Sequence, residues 1–254
     1  MMGRTHALTG WCAGLALAPV LGQHSLAGAC SVATVTAGFA LLPDLDQRSS
    51  TASRLLGPLT RLLSAGIRHS GSAIYRLTKG PRDEPGSEHR TFWHTLIAAA
   101  LLGVITGAAG HYGGSWVVLG VLVFAVLLAV AALGDWILLV ASVVAVMLVL
   151  AGSVADTLTG VAGWLGYAVA AGCVVHDLGD ALTEHGVPLL WPIPIRGETF
   201  YELGLPKPLR FHTGGIAETV LHTVVLVPTA VLLIPGVWPL AWALVVRLTH
   251  HQGA

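Results

Sequence analysis

Four short segments combine histidines and acids at spacings that suit a metal ion. In Pro43-Asp44-Leu45-Asp46 the proline disfavours continued helix, and in an extended segment residues two apart point the same way. Both carboxylates are therefore expected to face one ion. In His176-Asp177-Leu178-Gly179-Asp180, His176 and Asp180 stand four residues apart on one helical face, presenting an imidazole and a carboxylate together. His89 and His94 are five apart in His89-Arg90-Thr91-Phe92-Trp93-His94, which is not one face of a helix. That spacing predicts His89 before a helix and His94 in its first turn, with Thr91 as N-cap. His6, after Thr5, is the fourth member. Mixed imidazole and carboxylate donors suit zinc, manganese or iron. Zinc is the expected ion, with manganese as the alternative.

The elements that must position these groups follow from composition. Of 254 residues, 54% are hydrophobic and only 10% charged, far from the roughly 25% of a soluble domain. Thirteen Lys and Arg balance thirteen Asp and Glu, so there is no net charge to concentrate nucleic acid and little support for a nucleic-acid-binding surface. Apolar stretches run over 7–22, 26–42, 92–110, 116–133, 136–152, 161–175, 219–234 and 237–248. Several fall short of the ~20 residues that cross a bilayer upright, so six to eight spans are expected. Lipid offers no water to orphan backbone groups, and the runs lack barrel-like alternation, so the spans should be helices. The expected fold is an all-α, polytopic membrane bundle forming one domain over 1–254.

Two polar segments interrupt it, 43–91 and 180–218. The first holds eight of the thirteen Lys and Arg, which places it in the cytoplasm by the positive-inside rule. Arg54, Arg61 and Arg68 recur every seven residues among leucines, predicting an amphipathic helix. It lies either on the inner leaflet or against the protein's own spans. Counting spans from this segment returns His6, Asp44, Asp46, His89, His94, His176 and Asp180 to one membrane face. Taken singly, each has a plain alternative: Asp44 or Asp46 could cap a helix or pair with Arg48, and His176 could simply bond Asp180. Jointly these alternatives weaken, because ionisable groups at helix ends facing a bundle cost a few kcal/mol each unless paired or metal-bound.

Other residues give weaker signals. Glu218 and His222 stand four apart where a span begins, a pattern that a helix-capping carboxylate shares. His24 and His111 fall in turns on the opposite face, His69 on a solvated one, and His250 and His251 at the chain end. Cys12, Cys30 and Cys173 lie in apolar stretches without CxxC spacing and read as small buried hydrophobes. Leu26-Ala27-Gly28-Ala29-Cys30 lacks the aliphatic residue a lipoprotein box needs, and apolar sequence resumes after it, so a membrane hairpin is expected there.

The motifs resemble those of the YdjM-like family, LexA-regulated or otherwise predicted membrane-bound metal-dependent hydrolases of bacteria. The resemblance rests on Thr5-His6, Leu42-Pro43-Asp44-Leu45-Asp46, the block from His89 to Thr95, and His176-Asp177-Leu178-Gly179-Asp180-Ala181-Leu182-Thr183 running on to Pro192. Arg210-Phe211, Thr213-Gly214-Gly215 and Glu218 are similar to the segment that ends the family's core. The family block often reads His-Arg-Gly-x-Thr-His, and Thr91 and Trp93 depart from it. The resemblance implies an inner-membrane hydrolase with a divalent ion held by His6, Asp44, Asp46, His89, His94, His176 and Asp180. A carboxylate outside the ligand set, Asp177 or Glu218, would serve as general base. Arg90 and Arg210 would neutralise a phosphate, or else set topology and contact lipid headgroups. A site at the membrane face favours an amphiphilic ester or phosphoester as substrate and membrane lipids as partners. A metal or proton-coupled transporter and a non-catalytic scaffold are the other readings.

Overall fold

Helices form where the apolar runs lie, because in hydrocarbon only a helix satisfies every backbone group within one segment. A computed structural model describes residues 1–47, 57–83, 90–152, 154–240, 242–243 and 246. His89 lies outside the described residues, as do Arg48, Arg54, His250 and His251. The helices are α1 (Gly3–Leu17), α2 (Leu26–Phe39), α3 (Pro58–Thr78), α4 (Leu96–Leu133), α5 (Trp136–Ala151) and α6 (Val154–Ala181). The last group is α7 (Ile216–Val220) and α8 (Val227–Leu232), joined by a π-helical turn over Leu221–Leu226. Among the described residues there is no strand, only isolated bridges such as Val187 with Leu203 and Thr183 with Phe211.

Three helical segments, Leu26–Asp46, Leu96–Leu133 and Val154–Ala181, are long and apolar enough to cross a membrane, and Trp136–Met147 and Ile216–Leu232 are shorter apolar helices. The first is the central one, with 83% of its apolar window buried. Val104, Leu139 and Leu150, by contrast, point outward, where hydrocarbon replaces water. Helices of this length and composition suit a membrane-spanning bundle.

The stretches 92–110 and 116–133 share one helix label, yet the break between them is real. Gly114 has φ 71° and non-helical ψ inside α4. A Cβ built on Gly110 would lie 3.4 Å from Val118 Cγ2. Eight residues of straight helix advance about 12 Å, so that approach requires the chain to fold back at Gly114. The helix α4 is thus two legs of a hairpin. Close packing between helices relies on small residues, as membrane interfaces do. A Cβ on Gly38 of α2 would stand 2.2 Å from the carbonyl oxygen of Ala125 in the second leg.

Two sequence expectations need correction here. The segment Pro43–Asp46 is a 3-10 turn, not an extended strand. Its proline supplies the fixed φ that starts a helical turn, and successive residues in such a turn rotate by about 120°, so Asp44 and Asp46 point apart. The helix after His94 begins at Leu96, with Thr95 as its N-cap, its hydroxyl accepting from Ala98 N–H at 3.1 Å. Thr91 does not cap it, because Phe92–His94 forms a separate 3-10 turn. A third difference is extent: α6 starts at Val154, so Asp156 and Thr159 belong to the helix rather than to a break.

The amphipathic helix α3 packs over these two turns. Ser64 donates to the Leu45 carbonyl, and the Ile67 carbonyl accepts from Trp93 Nε1 at 2.8 Å. Leu62 and Leu77 on its other face are exposed. The two polar segments are tied together at Asp83, whose carboxylate accepts from the N–H groups of Gly80, Thr199 and Phe200 and from the Thr199 hydroxyl at 2.7 Å. Burial pushes the Asp83 carboxyl up, but the Thr199 hydroxyl and the three amides outweigh it and hold it below the usual aspartate range.

Candidate metal centre

Four helix ends meet at one place. The start of α1 brings His6, the turn after α2 brings Asp44 and Asp46, the turn before α4 brings His94, and the end of α6 brings His176, Asp177 and Asp180. His6, His94, His176 and Asp177 are fully buried, and Asp180 and Asp46 nearly so. Within this cluster the ligand atoms of His6, Asp44 and His176 lie within 4.8 Å of one another, as do those of His94, His176 and Asp180.

His176 is the common member, and the backbone orients it. Its Nδ1–H donates to the Ala40 carbonyl at 2.8 Å, which leaves the lone pair on Nε2. That Nε2 is buried and has no hydrogen-bond partner among the described residues. It stands 3.8 Å from Asp44 Oδ1 and 3.9 Å from Asp180 Oδ2. Both separations are too long for hydrogen bonds. They lie near the ~3.3 Å between two ligand atoms on one tetrahedral zinc, given metal–ligand bonds of about 2.0 to 2.1 Å. A buried lone pair facing two carboxylates at that spacing fits a cation. Because one lone pair serves one ion, the two overlapping triads describe alternatives around a shared centre rather than two independent sites.

The neighbours fit the same reading. The His6 ring stacks on His176 with centroids 3.9 Å apart, an arrangement that two imidazolium cations would oppose. His6 Nε2 lies 3.1 Å from Asp180 Oδ1. The Met1 amine bonds that same oxygen, and Arg90 reaches Asp180 Oδ2 at 2.8 Å. His94 Nδ1 lies 3.6 Å from Asp46 Oδ2, and its ring centroid is 5.2 Å from that of His176. The two acids of Pro43–Asp46 therefore serve different histidines, Asp44 facing His176 and Asp46 facing His94. Asp177 is near enough for the charges of Asp180, Asp44 and Asp46 to act on it, yet both its oxygens are buried without a hydrogen-bond partner among the described residues.

Arg90 sits in the left-handed region at φ 59°, a conformation that costs a non-glycine residue about 1 to 3 kcal/mol. It is held there by its own N–H to Asp46 Oδ2 at 3.3 Å, by Asp180, and by the Gly186 carbonyl. Its buried Nε has no partner among the described residues.

The other two candidates stand apart from the cluster. Glu218 is buried, but Oε1 accepts from Met2 N–H and Oε2 from Gly214 N–H, each at 2.7 Å, so it ties backbone segments together. Arg210 donates to the carbonyls of Leu205 and Glu184 and closes the loop of the second polar segment. His212 pairs with Glu184 at 3.0 Å on the exposed surface, and His24, His69 and His111 are exposed. The three cysteines are free and buried. Sequence reasoning missed the Ala40 carbonyl and the Met1 amine, because backbone groups carry no residue-type signal.

Comparison with curated proteins and with solved structures returns no match. A family model described as YdjM inner membrane protein matches residues 1–251, nearly the whole length, and the chain therefore belongs to that family of inner membrane proteins.

Proposed function

We propose that the protein is a multi-pass hydrolase of the bacterial inner membrane that uses a divalent ion, zinc or manganese, to cleave an amphiphilic ester or phosphoester. The observation that carries this reading is His176, whose Nε2 is fixed by the Ala40 carbonyl, buried, unpartnered and flanked by Asp44 and Asp180. His6, His94, Asp44 and Asp180 complete the donor set, with Asp46 bracing His94. A divalent ion held there lowers the pKa of a bound water and polarises the scissile oxygen.

The chain's own residues supply the rest. Asp177 takes the proton of the attacking water, because a carboxylate buried without donors is the strongest acceptor that the cluster leaves unused. Arg90 offers its unpartnered Nε–H to a phosphate oxygen while its NH2 holds Asp180 in place. Glu218 and Arg210 take structural roles. The cluster face is assigned to the cytoplasm, since Arg61, Arg68, Arg76, Lys79, Arg82 and Arg90 all belong to the segment that covers it. Donors gathered at helix ends favour hydrolysis over transport, whose sites lie near the midplane in broken helices.

Elemental analysis of the detergent-purified protein tests the reading. Wild type is expected to hold one equivalent of metal, His176→Ala and Asp44→Ala to lose it, and Glu218→Gln to keep it. Wild type that copurifies with no metal and takes none up on titration overturns it.

A further inference from the structure

Beside the cluster runs a groove that the chemistry described so far does not use. It has a volume of about 740 Å³ and lies between α1, the end of α6 and the helical run Ile216–Leu232, with Leu189, Gly204 and Leu205 of the second polar segment at its side. Cys12, Ala13, Ala16, Leu178, Leu226 and Leu233 line it. Its polar lining atoms are already engaged: the Thr9 hydroxyl donates to the Thr5 carbonyl at 2.7 Å, and the Cys12 thiol to the Leu226 carbonyl at 3.6 Å. A polar ligand would find no partner along these walls, whereas a hydrocarbon chain needs none.

One end of the groove reaches the cluster. Gly179 and Met1 line it there, and a Cβ built on Gly179 would lie 3.2 Å from His6 Nδ1. That nitrogen is buried and has no hydrogen-bond partner among the described residues. The groove then follows α1 as far as Ala16. Ten residues of helix from His6 to Ala16 span about 15 Å, half of the ~30 Å hydrocarbon core, which is the depth of one leaflet. Leu178 is 50% exposed and Leu233 38%, so the groove is open sideways.

We propose that this groove binds a single hydrocarbon chain of a membrane lipid, entering from the adjacent leaflet, and thereby presents the lipid's polar head to His6, Asp180 and Arg90. The fate of the head rests on the hydrolase reading, but occupancy of the groove does not. The length of apolar wall selects a long-chain amphiphile over a water-soluble ester of the same head.

The probe is a lysophosphatidic acid whose palmitoyl chain carries a terminal diazirine, photolysed with the full-length protein in detergent and mapped by peptide mass spectrometry. Adducts are expected on Cys12 to Ala16 and on Leu226 to Leu233. Ala13→Trp fills the groove and is expected to cut labelling about tenfold, the loss of roughly two buried methylenes, with metal content unchanged. Ala16→Phe, at an exposed position, gives the same result should the larger side chain at Ala13 disturb folding. Adducts spread over outward residues such as Val104 and Leu139 in wild type overturn the proposal, whatever the variants do. Groove adducts without release of the head leave the groove standing and overturn the hydrolase reading. Hydrolysis with adducts elsewhere does the reverse.

Discussion

The two ends of the same helices obey different rules. At the far end the chain turns on glycines with positive φ, Gly22, Gly114 and Gly152, and a Cβ at any of them would meet nothing within 4 Å. The ionisable groups at those turns, His24 and His111, are exposed. The near end also has an open glycine turn, at Gly134, but its other helix ends are two 3-10 turns and a helix terminus that gather three buried histidines, three buried aspartates and the partly buried Asp44. Stability alone favours the far-end solution, since each ionisable group buried at membrane depth costs a few kcal/mol. Arg90 adds a strained backbone to that cost. A fold that can turn cheaply on an open glycine yet buries this cluster at other helix ends carries a cost there that stability does not explain.

The largest effect should come from Asp177→Asn, which keeps the shape of the near end and removes the proton acceptor. Asp177 belongs to neither group of donors around His176, so metal content should hold while hydrolysis of a lipid phosphoester falls about 10² to 10⁴-fold, the usual contribution of a general base. Elemental analysis and a phosphate-release assay on the same preparation read both quantities. Loss of metal would move Asp177 into the ligand set, and unchanged turnover would remove it as the base.

How far this end was legible in sequence depended on whether a residue's role is local. His176 and Asp180 could be paired from spacing, because a helix fixes the geometry of residues four apart. Pro43-Asp44-Leu45-Asp46 was legible as a segment that brings its acids to the histidines but not in its geometry. An extended chain and a 3-10 turn both tolerate proline at the first position, and only packing under α3 decides between them. Thr91 was the expected cap, but the separate turn at Phe92–His94 moves the helix start to Leu96 and the cap to Thr95. Glu218 and Arg210 were singled out because their types suit chemistry, and the structure adds partners that no residue type signals, backbone groups brought near by tertiary contact. The apolar stretches gave the helices, and glycine-rich punctuation at 111–115 marked the hairpin at Gly114.

Between the two ends, the helices should tolerate substitution in proportion to how closely their backbones meet. Gly38→Ala puts a methyl 2.2 Å from a main-chain oxygen that no side-chain rotation can move. Overpacking of this kind typically costs about 1 to 3 kcal/mol, and a drop in thermal stability of the detergent-solubilised protein would register it. Gly22→Ala at the far end meets open space and carries only the left-handed penalty, roughly 1 kcal/mol. Metal content should be unaffected at Gly22. If Gly22→Ala proves the more damaging of the two, the contrast between a packed interior and an open turn is wrong.

The smallest effect is expected at Asp83, where the near end is fastened rather than catalytic. Its folded-state pKa is depressed by the Thr199 hydroxyl and the amides of Gly80, Thr199 and Phe200, despite partial burial. A depressed carboxylate stabilises the fold fully above its unfolded pKa and loses that contribution as pH falls through the folded value, here below about pH 4. Because Asp83 is only partly buried, screening trims the effect, and Asp83→Asn should cost no more than about 1 kcal/mol at neutral pH. Thermal melts of wild type and Asp83→Asn should therefore differ slightly at pH 7 and converge as the buffer is taken below pH 4. Melts that stay apart at low pH would mean that the clamp acts through shape, not charge, alongside the packing of Tyr75 on Phe200, whose rings lie 4.8 Å apart.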